Sequence, residues 1–249
     1  MWLKKLRVCD IIIGTRRSDF MEKTTITIQI KGTPLIKFQS AERIAQLQKG
    51  CLYAKTLKYY RELEEETGNK EIGDGFEAMV HVNEAIIKIP STGEDILLKD
   101  ELIKTTHSDD FVFCMFGIYP QLEKFAFTEQ QKEKMLSFGD TALIITDSNA
   151  FIDRVKKAAE KAGFIAYFSG VKYYDETVDN ANMIVDMLRG MHNIAFWKRE
   201  SYRYQQEGRF VFVSEQCHDD HIILDIGDIS DISVVLPAEQ VLTGTSTRN

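Results

Sequence analysis

Residues 111–119 read FVFCMFGIY, a nearly unbroken apolar and aromatic run of strand length. A strand that offers hydrophobic side chains at successive positions must be covered on both faces, so this segment predicts the middle of a buried sheet. The segments around it have the opposite habit. TTITIQIK, Thr24 to Lys31, alternates β-branched and polar residues with period two, the pattern of a half-buried strand, and it stops at Gly32. TALIIT follows later, and the C-terminal third adds GRFVFVS, HIILDIG and ISVVLP. Between residues 77 and 98, AMVHVN and AIIKIP read as two short strands closed by the turn chemistry of Pro90, Ser91, Thr92 and Gly93.

Helices are expected between these strands. Ser40 can cap a short helix with Ile44 and Leu47 facing inward, and Gly50 stands where a left-handed terminus belongs. The charged stretch from Tyr59 to Phe76, YYRELEEETGNKEIGDGF, predicts a helical start followed by a long exposed loop. A polar helix is expected over Glu129 to Leu136. Asp147, Ser148 and Asn149 offer caps for an amphipathic helix ending near Ala162, with Phe151, Ile152, Val155, Ala158 and Ala159 on one side. FIAYFSGVKYY reads as a strand or hairpin, and Val178 to Met191 as a last helix. Strands and helices in mixed order, without a linker rich in Pro, Gly or Ser, predict one α+β domain over residues 21–240. Residues 1–20 read as a leader, with Met21 as an alternative start, and residues 241–249 as a flexible tail.

Composition narrows the classes. A chain of 249 residues with 44% hydrophobic content can bury a sizeable core. No window approaches twenty consecutive apolar residues, so no membrane span is expected. Four cysteines without a CxxC spacing predict free thiols in a reducing compartment, hence a cytoplasmic location. The net charge of −7 argues against a broad basic face for duplex nucleic acid.

The familiar phosphate-binding, dinucleotide-binding, serine-hydrolase and zinc-protease motifs are missing. Cys217 to His221, CHDDH, concentrates metal-ligand types but reads as a solvated turn between strands, and no metal site is assigned. Cys114 lies in the apolar run and reads as core. KRESYRYQQEGR, Lys198 to Arg209, is the most chemically loaded stretch. A carboxylate at Glu207, held at the mouth of a strand, suits electrostatic stabilisation of a developing cation. The plainer alternative pairs it with Arg203 or Arg209 on a solvated strand. Tyr53, Tyr59 and Tyr60, with Arg61 beside them, could offer a stacking face and an anion clamp, or simply half-buried packing.

The order LIKFQSAERIAQLQKGCLYA, YYRELEEETGNKEIGDGFEA, FVFCMF, FWKRESYRYQQEGRFVFV resembles a group of uncharacterised bacterial proteins often found near phage-defence genes. The matching pieces are Gly50 with Leu52, Asp74 with Glu77, Cys114 with Phe116, and Tyr204, Glu207 and Arg209. The outline also resembles the ADP-ribosyltransferase fold, which implies mostly antiparallel sheets forming a cleft with flanking helices, with NAD lying in the cleft between two small sheets. That resemblance implies NAD as substrate and Glu207 as the catalytic carboxylate. It implies Gln205 as the residue completing a Q-x-E pattern, and Gln39 on the NAD ribose in place of the family's usual His or Arg. Tyr53, Tyr59 and Tyr60 would shape the nicotinamide pocket and Arg61 would meet the pyrophosphate. On this reading the protein is a toxin or anti-phage effector that modifies a protein or nucleic-acid acceptor, with an antitoxin or phage protein as a further partner. Two rivals differ in class. One is a non-catalytic binding module of a defence system, and the other a metal-dependent nuclease or hydrolase using Asp74, Glu77 and His81.

Overall fold

The computed structural model describes residues 8–15, 24–68, 71–88, 91–105, 107, 109–118, 124–178, 180–215 and 219–248. The strands β1 (Val8–Thr15) and β2 (Thr24–Lys31) pair antiparallel, from Val8 opposite Lys31 to Thr15 opposite Thr24. The strand β3 (Leu35–Gln39) leads into helix α1 (Ala41–Gln48), which buries Ile44 and Leu47, neighbours on one helical face. Gly50 follows at φ +100, where a Cβ would lie 2.6 Å from the Gly227 backbone. Next come β4 (Cys51–Thr56) and α2 (Leu57–Thr67). The Thr56 hydroxyl caps that helix by accepting from the Tyr59 N–H, and Gly68 ends it in the left-handed conformation.

A long hairpin, β5 (Met79–Lys88) and β6 (Asp95–Lys104), precedes β7 (Phe111–Gly117) and the short β8 (Lys124–Ala126). Thr128 and Gln131 form a reciprocal capping box on α3 (Glu129–Leu136). The strand β9 (Thr141–Ile145) leads into α4 (Ser148–Lys161), capped by Asp147 and burying Phe151, Val155 and Ala159. Then follow β10 (Ile165–Gly170), β11 (Lys172–Tyr174), α5 (Ala181–Arg189) and β12 (Trp197–Arg199). A 3-10 turn, Glu200–Gln205, delivers the chain to β13 (Glu207–Val213). The last elements are β14 (His221–Asp225), β15 (Ser233–Pro237), α6 (Ala238–Leu242) and β16 (Thr245–Arg248).

The main sheet runs β10-β13-β7-β3-β9-β15, and β4 and β14 branch from it. The run FVFCMFG is its centre, as its apolar continuity predicts. One edge of β7 pairs with β13. The other is divided, Phe116 and Gly117 meeting β3 while Phe111 and Val112 meet β4, so the sheet forks there. One face packs Leu35, Phe113, Phe210 and Phe212 against α1 and α4. On the other face, Ile36 and Phe116 meet Ile11, Ile28 and Ile30 of a second sheet ordered β2-β1-β16-β8. Val112 and Val211 meet Leu57, Met183 and Trp197 in a separate cluster.

The architecture is α+β and sheet-dominated, with antiparallel pairing throughout except for β11 with β12, among the named strands. Several local expectations are corrected. AMVHVN and AIIKIP belong largely to one strand, β5, because the ladder to β6 continues across the polar Asn83 and Glu84. The loop after α2 is not simply exposed, since Asp74 and Glu77 are buried in it. Residues 8–15, within the segment read as a leader, form β1, and residues 245–248, within the segment read as a tail, form β16. Those two strands pair with each other. No helix of the described residues is long and apolar enough to cross a membrane.

Candidate functional site

Alternation along β13 sends its residues to two environments. Phe210 and Phe212 enter the aromatic core, whereas Glu207 and Arg209 face the opposite side, where Val211 joins the cluster of Leu57, Met183 and Trp197. The chain reaches Glu207 through Gln206, a non-glycine residue at φ 41 and ψ 49. The Gln206 carbonyl accepts from the Gly117 N–H at 2.8 Å, and the Glu207 carbonyl accepts from the Val171 N–H at 2.9 Å. The Glu207 N–H donates to the Tyr173 hydroxyl at 2.9 Å. Backbone contacts thus fix the carboxylate's origin from several neighbouring elements.

The carboxylate is buried and fully engaged. Lys198 Nζ donates to Glu207 Oε1 at 2.7 Å and to Gln205 Oε1 at 2.7 Å. Arg209 donates to Glu207 Oε2 from Nη2 at 2.7 Å and from Nε at 3.1 Å. Its Nη1 reaches Glu77 Oε1 at 2.5 Å and the Ala195 carbonyl at 2.6 Å. Lys198 also lies 3.7 Å from Glu77 Oε2. A neighbouring set continues the pattern, because Arg199 donates to Asp74 from Nε at 2.9 Å and to Glu64 from Nη2 at 3.0 Å. The Tyr202 hydroxyl donates to the Gly73 carbonyl at 2.9 Å. The loop after α2 is therefore pinned by cations of β12 and β13.

Burial alone would push the Glu207 carboxyl up, but Arg209 and Lys198 outweigh it and hold the group below the usual carboxylate range. Burial would lower Lys198, but Glu207 and Glu77 raise it above the usual lysine value. Burial pushes the Cys114 thiol up to about 12, which leaves it protonated and weakly nucleophilic at neutral pH. Asp74 goes the other way from Glu207: burial first, and then Glu77, push it from 3.8 to about 6. One of its oxygens, Oδ2, is buried without a hydrogen-bond partner. The folded chain therefore holds the Asp74 proton more tightly than the unfolded chain, and this group removes stability as pH rises between 3.8 and about 6. Asp74→Asn is expected to flatten that part of the stability profile, read by urea denaturation at a series of pH values. An unchanged slope would show that Asp74 titrates as an ordinary carboxyl.

Beside the network lies a hollow of ≈ 70 Å³, walled by Lys37, Cys114, Phe116, Met135, Gln205 and Glu207 among others. Ligand pockets for drug-sized molecules run from about 300 to 1,000 Å³, so this space fits a few waters rather than a dinucleotide.

Of the residues singled out in the sequence, the fold brings Glu207, Gln205 and Tyr60 to one region. Gln205 receives Lys198 and donates from Nε2 to the Glu71 carbonyl at 2.8 Å. Tyr60 is packed against the cluster of Leu57, Met183 and Trp197, and the pKa of its hydroxyl is raised by burial first and then, among other neighbours, by Glu207 and Glu77. Arg61 is committed to structure, donating to the Glu77 carbonyl at 2.9 Å and to the Asp109 carboxylate. Tyr53 stacks on His221 with ring centroids 5.1 Å apart, and Tyr59 lies under the Lys55 ammonium at 4.6 Å. Gln39 pairs with Thr141 at the other end of β3 and accepts from the Ser40 N–H. Neither Gln39 nor Tyr53 is among the residues walling the hollow. The alternative pairing of Glu207 is half right: Arg209 is its partner but the pair is buried, while Arg203 pairs with Glu200 at the surface.

The carboxylates of the metal-hydrolase reading are occupied, Asp74 by Arg199 and Glu77 by Arg209, and His81 contacts Asp100 and the Glu176 carbonyl. Among the described residues no group of three or more His, Cys, Asp or Glu could hold a metal. Cys217 and His218 lie outside the described residues. Sequence reasoning missed Lys198 as the hub. Its only local signal was a basic residue at the head of the charged stretch ending in Glu207 and Arg209.

Comparison with protein-family models, with curated proteins and with solved structures gives no match.

Proposed function

We propose that the chain is a protein-binding module built around a closed ionic centre. The observation that carries this reading is the state of Glu207, whose two oxygens are each held by a buried cation. A carboxylate neutralised on both sides presents little field to a developing cation, and the hollow beside it is too small for NAD. The network's work is then to join the loop after α2 to β12 and β13. Apolar side chains exposed on α5, with Leu188 at 75% and Val185 at 43%, support contact with another protein.

A second reading, transfer of ADP-ribose from NAD to a protein or nucleic-acid acceptor, is favoured by one arrangement. Glu207 is held ionised at the wall of the hollow, with Gln205 two residues before it. Purified protein and its Glu207→Gln variant, each incubated with labelled NAD and cell lysate, decide between the two. The expected result is no transfer of label by either protein. Transfer by the wild type that disappears in Glu207→Gln would replace the binding reading with the transferase.

A further inference from the structure

We propose that the β5–β6 hairpin is a dimerisation arm, in which a second copy of this chain adds its β5 antiparallel to the outer edge of β5, centred on Ile86. The base of the hairpin is anchored in the core by Val80 and Val82. Its outer half is not, for Ile86 is 62% exposed and its cross-strand neighbour Leu97 is 58% exposed. Two strands alone are marginal in water, and a third or fourth strand with an apolar face supplies the missing stability. Among the described residues the hairpin pairs with no other strand, so a further strand can extend the ladder along Glu84 to Lys88.

The occupant is identified by symmetry and charge. In a two-fold antiparallel pairing the axis must pass through a residue facing its own copy, since opposite residues share a face. On the exposed face that holds Glu84, Ile86 and Lys88, a centre at Glu84 or Lys88 sets like charges against each other. A centre at Ile86 sets Ile86 against the partner's Ile86, and Glu84 against the partner's Lys88 on both sides of the axis. Within each copy Glu84 lies opposite Lys99, and Lys88 opposite Asp95. The four-stranded sheet then carries an apolar row, Leu97, Ile86, the partner's Ile86 and the partner's Leu97. It is flanked by rows of alternating charge, running from Lys99 through Glu84 and the partner's Lys88 to the partner's Asp95. The outer edge of β6 is the poorer surface. Centring it on Leu97 does set Asp95 against the partner's Lys99, but Asp100, next to Lys99, sits at φ 54, outside extended geometry, and breaks that edge.

The test is sedimentation equilibrium of the full chain over a concentration series, with circular dichroism to confirm folding. The wild type is expected to dimerise reversibly. Glu84→Lys alone and Lys88→Glu alone each set like charges together twice and should weaken the dimer by about tenfold or more. An equimolar mixture of the two variants restores both opposite-charge pairs and is expected to recover the dimer, which a merely loosened hairpin would not do. A wild type that stays monomeric, single variants that dimerise like the wild type, or a mixture that fails to associate would each overturn the proposal. Retention of the dimer in Glu84→Lys would also place the contact elsewhere, the β6 edge included.

Discussion

Arg209→Ala is expected to destabilise the fold by about 3–5 kcal/mol, because it leaves Glu77 and Glu207 buried without one of their shared cations. For a chain of this length that corresponds to a fall of roughly 10 °C in Tm. The size follows from burial rather than from the ion pairs themselves. Arg209 is 1% exposed, and its guanidinium also satisfies the Ala195 carbonyl. Removing it abandons two carboxylates and a carbonyl that water cannot reach. Arg203→Ala is the internal control, since Arg203 pairs with Glu200 in the open and its loss should cost about 0.5 kcal/mol or less. Urea denaturation of both variants measures the contrast. If Arg209→Ala costs no more than Arg203→Ala, the buried network contributes nothing that a surface pair would not.

The second large effect is on the opposite face of the same strand. Phe210→Ala is expected to cost about 3–5 kcal/mol, the transfer free energy of the ring plus that of the cavity it leaves. Phe210 is fully buried, with ring centroids 4.6 Å from Phe168, 5.9 Å from Phe151 and 6.0 Å from Phe212. These three neighbours belong to β10, α4 and β13, so they cannot collapse together into the space. Phe210→Leu, which keeps most of the volume, should cost markedly less. Equal losses for the two variants, in the same denaturation experiment, would contradict a cavity mechanism.

The two faces of β13 also show what the sequence made legible. The central position of FVFCMFG and the placement of Glu207 at a strand head follow from local pattern alone. So do the apolar spacing of the helices α1 and α4 and the Asp147 cap of α4, whereas Ser40, expected to cap α1, makes no side-chain cap there. The partners of that carboxylate are another matter. Glu77 stands 132 positions from Arg209 in the chain, and Asp74 stands 125 from Arg199, so no local spacing links them. The burial of the loop after α2 was hidden for the same reason. A polar, glycine-bearing stretch reads as exposed until the cations that neutralise it are brought alongside. Arg61 stands beside tyrosines in the sequence, but its acceptors in the fold are the Glu77 carbonyl, 16 positions on, and the Asp109 carboxylate, 48 positions on.

The strand β1 lies between β2 and β16 in the smaller sheet, with Ile11 buried beneath it. A polypeptide starting at Met21 would lack the strand that joins β2 to β16, and with it Ile11, which packs in the same cluster as Ile28 and Ile30. Because β1 and β16 lie far apart in the chain, the layer closes only when residues 245–248 reach residues 8–15, so this ladder forms only after every element between them has been made.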